Sequence, residues 1–111
     1  MKNKNEALLE MVLENITDHM GDSQFGITTI SSHVGLSERQ LQRKLKEITG
    51  KTPNQIIRSM RLQRAKELLL ENPERIVDIA AQIGFYSPSY FSKCFKTQYG
   101  VSPSEYIEQM E

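Results

Sequence analysis

Between residues 5 and 20, apolar side chains recur at Leu9, Val12, Leu13, Ile16 and Met20, a spacing that lays one stripe along a helix. Leu8 and Met11 widen that stripe. Gly21 to Gly26 reads as the loop that follows, with Asp22, Ser23 and Gly26 as turn formers. A short second helix is expected up to Val34, capped by the hydroxyl of Thr28 or Thr29 and ended by Gly35. Ser37 opens a third helix, and Gln40, three residues on, completes a capping box for its free amides. Leu41, Leu45 and Ile48 turn inward there. At about 100° per residue, Arg39, Arg43 and Lys46 then fall on the opposite face, with Gln42 beside them.

Thr52, Pro53 and Gln55 start a fourth helix with a cap, a first-turn proline and a second capping box. Its apolar positions are Ile56, Ile57, Met60, Ala65, Leu68 and Leu69, and it stops at Asn72 and Pro73. Such a rod is about 25 to 28 Å long at roughly 1.5 Å per residue. Ile76, Ile79, Ala80 and Ile83 form the inner face of a fifth helix, which lacks a Ser or Thr cap before it; Gly84 turns the chain and Phe85 enters the core. Ser87 and Pro88 begin a sixth helix that packs through Phe91 and Phe95 and exposes Ser89, Ser92, Lys93 and Lys96. Ser102, Pro103 and Glu105 cap a last one with Tyr106, Ile107 and Met110. The expected fold is all-α, with seven helices and no strands.

The second half repeats the first. Residues 30–53, ISSHVGLSERQLQRKLKEITGKTP, are answered by residues 79–103, IAAQIGFYSPSYFSKCFKTQYGVSP: Gly35 by Gly84, Leu41 by Phe91, Leu45 by Phe95, Gly50 by Gly100 and Pro53 by Pro103. Helix, glycine turn, then a helix with a polar outer face is the form of a helix-turn-helix. Two such units joined by one long helix divide the chain into an amphipathic helix and loop (1–24), a first unit (25–52), the joining helix (53–72), and a second unit with the C-terminal helix (73–111). Units of this size cannot each bury a core alone, so both must share the joining helix.

Composition changes the picture through its distribution. Lys and Arg number 14 against 14 Asp and Glu, a net charge of zero, which by itself argues against a polyanion. Yet residues 37–66 hold Arg39, Arg43, Lys44, Lys46, Lys51, Arg58, Arg61, Arg64 and Lys66 against only Glu38 and Glu47, and acidic residues prevail on both flanks. A basic block with acidic shoulders is the footprint of a polyanion partner, although a solvated helical surface would look the same. Arg and Gln are also the side chains that pair bidentately with guanine and adenine edges in the major groove. No apolar run is long enough to cross a bilayer and no signal peptide is visible, so a cytoplasmic location is expected. Cys94 is the single cysteine and reads as a small packing residue. His19 and His33 stand apart in sequence, without an acid or Cys at metal or triad spacing, so neither enzyme, metal site nor cofactor is expected.

The stretches RLQRAKELL (61–69), IAAQIGF (79–85), SYFSKCFK (89–96) and GVSP (100–103) resemble the signature of AraC/XylS-type transcription regulators. The match runs from about residue 25 to 110 and departs from the family at the weak cap before Ile76 and at Lys93, where Arg is common. The resemblance implies sequence-specific binding of double-stranded DNA, each unit placing a recognition helix in the major groove. Carried over residue by residue, the base-reading positions are Arg39, Gln40, Gln42 and Arg43 in the first unit and Ser89, Tyr90, Ser92 and Lys93 in the second; Thr28, Lys44, Lys46 and Lys96 are expected on phosphates. It further implies a larger regulator that engages RNA polymerase, with activator as the expected role and the direction of control left open, an upstream sensing domain outside this chain, a homodimer in the parent protein and a membrane-anchored two-component sensor as parent; a short stand-alone regulator controlled by its abundance is the alternative to such a parent. The alternative is a helical protein-interaction module, which would show an apolar outer face where this chain has Arg, Gln, Ser and Lys.

Overall fold

The computed structural model describes residues 1–111 as seven helices: α1 (Lys4–Asp18), α2 (Ile27–Val34), α3 (Glu38–Thr49), α4 (Pro53–Glu71), α5 (Ile76–Gln82), α6 (Pro88–Tyr99) and α7 (Pro103–Met110). No residue is in a strand.

Most helix starts follow from local chemistry. The Ser37 hydroxyl accepts from the Gln40 amide at 3.1 Å while the Gln40 side chain accepts from the Ser37 amide at 3.0 Å. Thr52 with Gln55 and Ser102 with Glu105 repeat this reciprocal pair. Each box satisfies two amides that a helix start leaves without partners. Two boundaries differ from expectation. Neither Thr28 nor Thr29 caps α2; Gly26 in extended backbone precedes it, and Thr28 Oγ1 donates instead to Glu38 at 3.4 Å. The first helix ends at Asp18 rather than Met20, because His19 leaves the helical region and its amide folds back to the Ile16 carbonyl. Arg75 begins α5 without any side-chain cap, as the sequence there implies.

The chain divides into two compact units, Met1–His19 with Gln24–Arg58, and Met20–Ser23 with Ser59–Glu111. In the first, α1 packs on α2 and α3, and Val12, Ile16, Phe25, Ile30, Leu41, Leu45, Ile56 and Ile57 are buried. In the second, Leu62, Ala65, Leu68 and Leu69 of α4 form one cluster with Ile79, Ala80, Ile83, Phe85, Phe91, Phe95, Tyr106 and Ile107. Phe95 meets Phe91, Tyr99 and Tyr106 edge-on, with centroids 5.9, 4.8 and 5.7 Å away. Such edge-to-face pairs each add about 0.5–1.5 kcal/mol to simple burial. Cys94 lies half-buried at the rim of this cluster.

Leu62, fully buried, is the core residue that the apolar stripe of α4 passes over. Ile56, Ile57 and the half-buried Met60 share one side of α4, whereas Leu62, Ala65, Leu68 and Leu69 centre roughly 140° further around the axis. A single stripe drawn through the whole helix therefore misses the change of face.

Gly84 has φ +89°, and a Cβ there would lie 2.8 Å from the Met20 carbonyl oxygen and 2.9 Å from Arg61 Cζ. Both the left-handed backbone and the space demand glycine. Arg61 below it donates from Nη2 to the Asp22 carbonyl at 2.8 Å. Burial pulls its guanidinium pKa below its ordinary value, partly offset by the Asp22 charge.

Candidate nucleic-acid interface

The two inner leucines of α3 are 0% exposed, which forces the intervening polar positions outward. Arg39, Gln42, Arg43 and Lys46 are all exposed and line one open cleft of about 640 Å³, closed on its other side by Thr52 and Asn54 at the start of α4. No acidic side chain lines it. Three cations and a planar amide thus share a concave surface on a helix held rigid by its cap and its buried leucines.

Other expected residues fall elsewhere. Gln40 is exposed, but one lone pair of its Oε1 is committed to the Ser37 amide, which orients the side chain toward the helix start. Lys44 is half-buried, and the Thr28 hydroxyl faces Glu38. On α6, Ser89, Lys93 and Lys96 are exposed and Ser92 is half-buried. Tyr90 is half-buried, its ring 5.8 Å from that of Phe85 and stacked at 5.2 Å on Tyr86. Tyr86, which periodicity did not single out, is 79% exposed.

The basic block is also smaller than its sequence count. Arg61 is tied to the loop at Asp22, Arg64 pairs with Glu67, and Lys66 sits 4.6 Å above the Tyr99 ring in a cation–π contact. Arg39, Arg43, Lys44, Lys46, Lys51 and Arg58 remain, and none is in an ion pair. His19 and His33, separate in sequence, are brought together: their centroids lie 5.7 Å apart, His19 stacks on Phe25 and both rings bond to Asn15. Only tertiary packing of α1 on α2 could bring them together.

A family model described as a helix-turn-helix domain matches residues 30–109. The fold superposes on an AraC-type transcriptional regulator from Chromobacterium violaceum with a TM-score of 0.77 and 29% identity, covering 93% of this chain and 95% of that one. The chain belongs to the AraC-type helix-turn-helix family. The AraC-type domain is 41% identical over 101 residues to Histidine kinase P4 of Formosa agariphila, covering 91% of this chain and 7% of the kinase. It is also similar to the DNA-binding domain of AdpA, solved in complex with a target DNA, with a TM-score of 0.81, 28% identity and coverage of 92% and 90%. The chain spans 36% of the length of shorter regulators that it also matches. As an AraC-type domain it is a sequence-specific DNA-binding domain of the transcription-regulator type. No helix in it is long and apolar enough to cross a membrane.

Proposed function

We propose that α3 and α6 enter successive major grooves of duplex DNA and that α3 is the principal reader. The observation that carries this reading is the cleft uniting Arg39, Gln42, Arg43 and Lys46 on the solvent face of α3. Arg39 and Arg43 have the fork that matches guanine O6 and N7, and Gln42 has the donor and acceptor that match adenine N6 and N7. Lys46 and Lys44 are point charges suited to phosphates, and Lys96 takes that role on α6; Thr28 on α2 can join them only by turning its one hydroxyl proton away from Glu38. Gln40 serves the cap before it serves a base, since the bond from the Ser37 amide fixes the orientation of its side-chain amide. On α6, Ser89, Ser92 and Lys93 make single contacts.

The similarity to a histidine kinase supports a parent protein in which this domain is the cytoplasmic output end of a membrane-anchored two-component sensor. In that setting it activates transcription by bringing the parent, as a homodimer, to RNA polymerase.

Fluorescence anisotropy with arbitrary duplex DNA at increasing salt tests the electrostatic part. Each neutralised phosphate contributes a slope of about −0.9 in log K against log salt, so several contacts weaken binding by orders of magnitude between roughly 50 and 200 mM. Affinity indifferent to salt would overturn the proposal.

A further inference from the structure

Tyr86 occupies the turn between α5 and α6, directly before the Ser87 cap, and exposes 79% of its surface. Its neighbour in sequence, Phe85, is buried, so the chain at this point sends one ring into the core and the next into water. The exposed ring is nevertheless held. It stacks on Tyr90 at 5.2 Å with an interplanar angle of 24°; Tyr90 in turn packs on Phe85, and Phe85 lies 5.3 Å from Phe91, which is 0% exposed. An aromatic ladder thus runs from the core of the second unit to an open face at the N-terminal end of α6.

Resting on the DNA-binding reading above, we propose that Tyr86 is the specificity-determining aromatic of the second unit and that its open face packs against the 5-methyl group of a thymine. Tyr90, covered by Phe85 and Tyr86, is its platform and a positioning residue. Three physical points carry this. The N-terminal end of a recognition helix is the part that meets base edges, and Tyr86 is fixed there by the cap. The hydroxyls of Ser89 and Ser92 are too short to span an apolar contact, whereas the thymine methyl is the one apolar group in the major-groove edge pattern. A tyrosine has two side-chain torsions, and stacking restrains them before DNA arrives, so little freedom is lost on binding.

Site selection with the unaltered protein first defines a preferred duplex. Anisotropy titrations then compare that duplex with versions carrying uracil for thymine at single positions, against the unaltered protein, Tyr86→Ala and Tyr86→Phe. One uracil should weaken the unaltered protein severalfold. Tyr86→Ala should bind the unmodified site on the order of tenfold more weakly, in the range of one good base contact, and lose nothing more at that same uracil. Tyr86→Phe should stay within about twofold on every duplex. The inference is overturned if Tyr86→Ala binds like the unaltered protein, if its deficit is the same on every uracil duplex, or if Tyr86→Phe loses as much as Tyr86→Ala, which would assign the hydroxyl to a phosphate. The uracil scan of the unaltered protein stands even if a variant folds poorly. If that protein selects no sequence at all, the DNA reading itself fails, an outcome distinct from the others.

Discussion

At the scale of single residues, α3 and α6, the helices proposed to read DNA, differ in what their exposed side chains can do. Arg43 carries a planar fork and Lys93 a point charge, so the first can discriminate a base pair and the second mainly a phosphate. Arg43→Ala is expected to cost about 1–3 kcal/mol on a preferred site and relax the choice at one base pair, while Lys93→Ala weakens all sequences evenly and lowers the salt slope by about one. Site selection with each variant checks this, and a preference lost with Lys93→Ala but retained with Arg43→Ala reverses the assignment. The glycines give a second contrast. Gly84 and Gly100 both have positive φ, but a Cβ at Gly100 meets nothing within 4 Å, whereas at Gly84 it meets backbone and the Arg61 guanidinium. Gly100→Ala should therefore cost only the backbone strain of roughly 1–2 kcal/mol. Gly84→Ala should cost visibly more in thermal melts, and equal melting temperatures would refute the close approach.

At the scale of elements, the caps decide where helices begin, and one of them can be read by titration. The Ser102 amide, then the Ser102 hydroxyl, hold the Glu105 carboxyl below its ordinary value of 4.5. A folded pKa lower than the unfolded one means that the carboxylate stabilises the fold above the unfolded value and that this contribution fades as pH falls through the folded one. Ser102→Ala removes the hydroxyl and keeps the amide, so it should raise the Glu105 pKa measured by carboxyl NMR part of the way to its ordinary value, and an unchanged value would show that the hydroxyl does not act on the carboxylate. The joining helix could be bounded from sequence because Thr52, Pro53 and Gln55 mark its start and Asn72 and Pro73 its end. Its burial could not, because a periodicity argument assumes one buried face, and α4 buries two. The second core was legible at Phe91 and Phe95 and missed at Leu62 for that reason.

At the scale of the molecule, α4 is continuous over 19 residues, about 28 Å at 1.5 Å per residue. Adjacent major-groove faces recur every ~34 Å. We expect Met60→Pro to interrupt α4 at about 3 kcal/mol or more, leaving much of the helicity in circular dichroism while abolishing footprints that extend over two grooves. A full-length footprint in that variant would show that both grooves are reached without a continuous α4.

The repeat, the glycine turns, the caps and the alternation of leucine with Arg and Gln on α3 are local signals, carried by spacing alone, and they determined an all-helical tandem of helix-turn-helix units with a polar outer face on α3. Spacing says which side of a helix is wet, but not which partners a side chain finds across the fold. That was decided by tertiary structure. It gave Arg61, Arg64 and Lys66 of the basic block partners within the fold, a carbonyl, a carboxylate and an aromatic ring. It covered Tyr90 with Tyr86 and left Tyr86 open, a distinction that a run of aromatic residues cannot make, because burial belongs to the packed chain and not to the residue type.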